Sequence, residues 1–160
     1  MEPLVTTTRS RSVIVEAPVE VVFDFVTAVN NWTRCHPGNT GITGPGEKHV
    51  PLGVSFIEHA RLGDSGPDLD LEWIVIVDET NKHWAVELGE SPWDMERIEI
   101  HYEFEPHDGG TRFRRTTKFV GDANARFQTS NDLAGNAVDN ADDQYLDKVA
   151  EAIASDLAKA

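Results

Sequence analysis

The sequence predicts an α+β domain: a curved antiparallel sheet of about six or seven strands wrapped around one long C-terminal helix, with two short helices after the first strand. Three observations predict it. Between Leu52 and Phe119, apolar and polar residues alternate over several consecutive runs, the period of strands with one buried and one wet face. From Ala134 to Leu157 the apolar residues recur at three- and four-residue steps, the period of an amphipathic helix. Near the start, Ala17-Pro18 separates a β-branched run from a short apolar-faced segment, and proline suits the first turn of a helix.

The elements follow in order. Val5 to Ala17 is dense in Thr, Val and Ile, whose branched Cβ favours extended backbone. After Pro18, Val19, Val22, Phe23, Phe25 and Val26 give one short helix that Asn30 and Asn31 end, and Trp32 to Pro37 forms a second helical turn. Gly38 to Gly53 is glycine-rich, with strand character around Ile42. Leu52 to Leu62 places Val54, Phe56, Glu58, Ala60 and Leu62 on one parity; Leu69, Leu71, Trp73, Val75 and Val77 share the next, and Trp84, Val86 and Leu88 another. Arg97 to Glu105 alternates strictly, Ile98, Ile100, Tyr102 and Phe104 against Glu99, His101, Glu103 and Glu105. Pro106 to Gly110 is a hairpin turn, and the return strand alternates Phe113, Arg115, Thr117 and Phe119 with Arg112, Arg114, Thr116 and Lys118. In the final helix Ala134, Val138, Ala141, Tyr145, Val149, Ile153 and Leu157 form the apolar stripe, with Thr129 and Asp132 as its N-cap region.

A length of 160 residues fits one domain spanning 1–160. With 28 acidic and 14 basic residues the net charge is −14, which repels phosphate backbones and anionic lipid. Nucleic acid and membrane insertion are therefore not expected as partners. The lone cysteine, Cys35, allows no intramolecular disulfide or thiolate zinc cluster and reads as a buried filler. MEPLVTTTRSRS lacks the apolar run of a signal peptide, and no apolar stretch approaches the ~20 residues of a membrane helix, so a cytoplasmic location is expected. The six histidines form no HxxxH or HxH pair, so no metal is expected; neither a G-x-S-x-G elbow nor a phosphate-binding glycine fingerprint is present.

A one-sided sheet must cover its apolar face, and the final helix is the element long enough to do so. Asn131, Ala134, Gly135 and Val138 are small or polar on its inner side, which leaves room for a cavity. The acidic residues of this segment read as a solvated face.

The run Val13-Ile14-Val15-Glu16-Ala17-Pro18-Val19-Glu20-Val21-Val22-Phe23-Asp24-Phe25-Val26 resembles the opening of the START-like, or SRPBCC, helix-grip superfamily. Trp32 with His36-Pro37, Gly44-Pro45 and Gly110-Thr111-Arg112 resembles its polyketide cyclase/dehydrase branch. The resemblance covers nearly the whole chain. It implies a helix-grip fold with a cavity between sheet and helix, a small hydrophobic, polyketide-like or aromatic ligand, and no cofactor. The superfamily holds carriers and enzymes alike, so a lyase-type cyclase or dehydratase and a non-catalytic carrier or sensor both remain open, as does a domain that fills its own cavity, with a monomer or homodimer as the expected state.

Parity then selects the inward polar residues. Glu58 and Arg115 are charged yet share the parity of apolar neighbours, and a lone buried charge costs several kcal/mol, so such groups are paired, solvated or functional. Arg115 and Tyr102 would polarise a carbonyl or stabilise an enolate, and Glu58 would act as general base. A bulge would instead turn Glu58 outward, and Arg115 would instead tie the sheet to Asp139 or Asp142. Phe56, Trp73, Trp84, Phe104, Phe113 and Thr117 are the candidate walls, with Asn131 and Val138 from the helix. His36 stands by as an acid/base beside Trp32 but reads as structural, and Trp93 lies in a loop at the expected cavity mouth.

Overall fold

The computed structural model describes residues 4–61, 68–90, 97–122 and 131–159, with side chains left undescribed at 122 and 131–140. Seven strands form one antiparallel sheet in the order β1-β7-β6-β5-β4-β3-β2. In chain order these are β1 (Leu4–Val15), α1 (Val19–Thr27), a single 3-10 turn (Val29–Asn31), α2 (Trp32–Cys35), β2 (Asn39–Thr43), β3 (Ser55–Arg61), β4 (Asp68–Glu79), β5 (His83–Leu88), β6 (Arg97–His107), β7 (Gly110–Asp122) and α3 (Asn131–Ala158). The curved sheet grips α3, which packs along β1 and α2.

Pro18 caps α1 in extended conformation, and its carbonyl accepts from the Val21 and Val22 N–H groups. Val22, Phe23, Val26 and Thr27 are the buried face of this helix. It ends at Thr27, three residues before the expected asparagines, because the chain tightens into the 3-10 turn that carries Val29 into the core. The β6–β7 turn is Asp108-Gly109, with φ of 46° and 84°. Two left-handed residues make the hairpin turn whose twist matches that of the strands. Gly110 follows for a separate reason: a Cβ there would stand 2.5 Å from the Val15 carbonyl oxygen. The expected strand from Leu52 begins only at Ser55, and Leu52 is exposed. A bulge lies between Val75 and Val77 of β4, and another between Asn39 and Gly41 of β2; β3 pairs with β4 in unbroken register. Bulges bend their strands, which suits a sheet that curls.

The core faces follow the alternation up to the bulge in β4, which pairs Val77 with Ala85 and so turns Val77 off the inward parity of Trp73 and Val75; Ala85, on the outward parity of β5, is itself buried. His101 and Thr116, on the outward parity of β6 and β7, are buried. They are cross-strand partners, and hydrogen bonds cover them: His101 lies 2.8 Å from both His83 and Glu99, and Thr116 lies 3.0 Å from Ser10. On α3, Tyr145, Leu146, Val149 and Ile153 are buried while Leu157 is exposed, so the apolar stripe stops one turn early. Asp142 is fully buried rather than solvated. Two exposed bidentate pairs, Arg11–Asp143 and Arg34–Asp156, fasten the outer flank of α3 to β1 and α2. Among the described residues, no helix is long and apolar enough to cross a membrane.

Candidate functional site

The sheet sends buried charged and aromatic side chains inward from five strands, β3 to β7. On β3, Glu58 follows Phe56 inward, and the unbroken β3–β4 register overturns the alternative of a bulge that faces it outward. Its two carboxylate oxygens are held separately: Asn39 Nδ2 donates to one at 2.8 Å, and Trp73 Nε1 donates to the other at 3.1 Å. Burial pushes the Glu58 carboxyl above its ordinary pKa, and the two hydrogen bonds and the Arg115 charge only partly offset this.

Arg115 and Tyr102 are direct cross-strand neighbours on β7 and β6. Arg115 Nε approaches the Tyr102 hydroxyl at 3.4 Å, and Arg115 Nη1 is ion-paired to Asp142 on α3. The guanidinium also lies over two rings, 5.7 Å from the Tyr102 centroid and 5.2 Å from that of Tyr145. Burial works against its charge, but Tyr102 and Asp142 outweigh burial and raise its pKa. The reverse holds for Tyr102, whose hydroxyl burial pushes up to about 12, so it stays a proton donor at neutral pH. Of the two acidic partners named for Arg115, Asp142 is the one it meets; the Asp139 side chain lies outside the described residues.

The aromatic surround centres on Trp32. Its ring lies 5.2 Å from Phe56, 6.3 Å from Trp84 and 6.1 Å from Tyr102. Trp32 and Trp84 direct their indole N–H groups to the carbonyls of Val26 and Val50, which satisfies them without using the interior. Phe113 stacks with Tyr102 at 6.1 Å and so borders the polar group. Phe104 points inward at the other end, where it packs on Phe23 of α1. Thr117 is buried two positions from Arg115. Asn131 and Val138, the expected helix contributions, and Trp93 lie outside the described side chains.

Parity reasoning did not assign a site role to Tyr145, Asn39 or Trp32, and it set His36 aside as structural. His36, at the end of α2, stacks on Tyr145 with centroids 4.1 Å apart and meets the edge of Trp32 at 5.0 Å. Burial, and secondarily the Arg115 charge, hold its imidazole well below the usual pKa, so the ring is neutral. Cys35 next to it is buried, and burial lifts its thiol to about 11. Among the described residues, no group of three or more His, Cys, Asp or Glu side chains has metal-ligating geometry. The assembled groups are a hydrogen-bonded carboxyl, a phenol, a stabilised guanidinium and a neutral imidazole within an aromatic shell. Such a set can polarise a carbonyl oxygen and move a proton to or from carbon.

A family profile described as "Polyketide cyclase / dehydrase and lipid transport" matches residues 6–158. Among solved structures, the di-domain aromatase/cyclase StfQ of the steffimycin biosynthetic pathway is similar with a TM-score of 0.76 at 12% identity, covering 97% of this chain and 52% of that one. Ara h 8.0201 gives 0.70 at 13% identity, covering 94% and 99%. These likenesses establish the fold. A curated relative, penitrem biosynthesis cluster 1 protein I of Penicillium ochrochloron, is 42% identical over 48 residues, which is 29% of this chain and 31% of that protein's length.

Proposed function

The chain belongs to the polyketide cyclase / dehydrase and lipid transport family, and on that premise we propose that it binds a small polyketide-like or aromatic molecule between sheet and helix and acts on it as a cyclase or dehydratase. The observation that carries the reading is the convergence of Glu58, Tyr102 and Arg115 from three different strands on one aromatic interior.

In the proposed reaction, ionised Glu58 takes a proton from a carbon flanked by two carbonyls. The electron pair moves onto a carbonyl oxygen, and the enolate is stabilised by Arg115 with the Tyr102 hydroxyl. The enolate carbon then attacks a second carbonyl of the same chain. A C–C bond forms, and the new alkoxide takes the proton back from Glu58. Glu58 then removes a second proton from the carbon next to the one that bears the new hydroxyl; a C=C bond forms in the ring as the C–O bond breaks, and the hydroxyl leaves as water with the proton Glu58 returns. No electrons leave or enter, so no redox cofactor is required. We place this activity in the cytoplasm, in a monomer or homodimer, with a small molecule as partner.

The test is a linear tetra-β-ketone, followed by ring absorbance, with binding followed by quenching of the interior tryptophans. Wild type is expected to accelerate ring formation, and Glu58→Gln or Tyr102→Phe to slow it by at least about 100-fold, the lower range for a lost acid or base. Tryptophan quenching should persist in both variants. One observation favours a second reading. Arg115 is already neutralised by Asp142, which suits a carrier whose interior charges are internally satisfied. Binding by wild type without acceleration would establish the carrier and end the catalytic reading.

A further inference from the structure

Among the described residues, His36 Nε2, the Tyr145 hydroxyl and Thr117 Oγ1 are buried on the inward side without a hydrogen-bond partner. Buried polar atoms are nearly always satisfied, so open ones mark a strain reservoir or a missing partner. The charged groups beside them are engaged, Arg115 with Asp142 and Tyr102, and Glu58 with Asn39 and Trp73. A charged ligand would have to compete with those bonds. A neutral hydroxyl or carbonyl would complete the open ones.

His36 and Tyr145 also stack on one another. Their rings are 19° from parallel at 4.1 Å, one offered by α2 and the other by α3. His36 as a residue is half-buried, while its Nε2 is sealed from water. We propose that His36 and Tyr145 are the specificity-determining residues of the interior site, selecting a planar ligand with neutral hydroxyl or carbonyl oxygens over an anionic fatty acid. The proposal rests on the reading above that the interior takes a small hydrophobic molecule. The Tyr145 hydroxyl donates to a ligand oxygen, and His36 Nε2 accepts from a ligand hydroxyl when its proton is on Nδ1. Burial keeps both groups uncharged, raising Tyr145 and lowering His36.

Equilibrium dialysis at pH 7 with 2,7-dihydroxynaphthalene, naphthalene and laurate tests this. Wild type is expected to hold the dihydroxy compound about 10-fold tighter than naphthalene, the worth of one good hydrogen bond, and more tightly than laurate. Tyr145→Phe and His36→Phe should each cut the ratio of the dihydroxynaphthalene affinity to the naphthalene affinity several-fold. Tyr145→Phe without ligand should melt no lower than wild type, because the oxygen it deletes has no partner. If His36→Phe fails to fold, Tyr145→Phe alone decides. A lower melting temperature for Tyr145→Phe, or an unchanged preference in it, overturns the proposal. Binding of naphthalene and laurate with no preference for the dihydroxy compound overturns it while the hydrophobic interior stands. No binding of any probe by wild type overturns both.

Discussion

Asp142, on the inward side of α3, is ion-paired to Arg115 on the inward side of β7, and both side chains are almost wholly removed from solvent. The pair joins the closing helix to the middle of the sheet. Removing one partner leaves an uncompensated charge in a low-dielectric interior, which costs far more than the pair itself contributes. Asp142→Leu is therefore expected to destabilise the fold by about 3–5 kcal/mol in urea unfolding. The double variant Arg115→Met with Asp142→Leu should recover most of that loss. If Asp142→Leu alone costs under about 1 kcal/mol, the pair does not hold the helix to the sheet.

Glu58 sets a pH dependence. Its folded pKa is raised, chiefly by burial, so the folded state favours the protonated form. The stability this contributes is fully present below the ordinary carboxylate pKa and is lost as pH rises through the folded value. Wild type should lose stability relative to Glu58→Gln as pH rises from about 4 toward neutrality. The offset between the two proteins reflects the hydrogen bonds with Asn39 and Trp73, while the slope reflects the titration. Urea midpoints at several pH values that run parallel for both proteins would show that Glu58 is not shifted upward.

Gly110 tests the close approach of β7 to the end of β1. A Cβ at Gly110 would meet a backbone oxygen, that of Val15, at 2.5 Å, so the strands themselves must move. Gly110→Ala should cost about 1–3 kcal/mol, as overpacking does. Gly109 has φ 84° but open space, and asparagine tolerates that conformation. Gly109→Asn should stay within about 0.5 kcal/mol of wild type. Equal thermal shifts for the two variants would contradict this.

Cys35 supplies a probe of interior access. With its thiol lifted to about 11 by burial, almost none is thiolate at pH 8. Reaction with a disulfide reagent should be at least about 100-fold slower in the native protein than in urea. Native labelling at the unfolded rate would mean that the core around α2 opens readily.

How far the sequence reached depends on the element. Period-two alternation on β3, β6 and β7 placed Phe56, Glu58, Tyr102, Phe113 and Arg115 inward, because one face of a gripped sheet is dry and parity has only two answers. It failed for His101 and Thr116, whose burial comes from hydrogen-bonded neighbours on the outer face rather than from a hydrophobic face. The sequence names Asp139 and Asp142 alike as partners for Arg115, and only the position of Arg115 across the fold shows that Asp142 meets it. His36 was hidden for a similar reason. Its stack on Tyr145 joins residues over a hundred positions apart, and neither has a local pattern that reports the other.

The sheet order also governs the timing of synthesis. Leu4 pairs with Asp122 and Val15 with Thr111, so β1 must wait for β7, the last strand of this sheet to be synthesised. At ~5–20 residues per second, the ribosome delivers β7 roughly 5–20 s after β1. For that interval β1 is a strand with a high tendency to extend whose partner in this sheet is not yet made, the condition in which nascent chains aggregate. Its composition answers the hazard. Thr6-Thr7-Thr8-Arg9-Ser10-Arg11-Ser12 is extended by branching yet polar and cationic, so it can wait in water and repel another copy of itself.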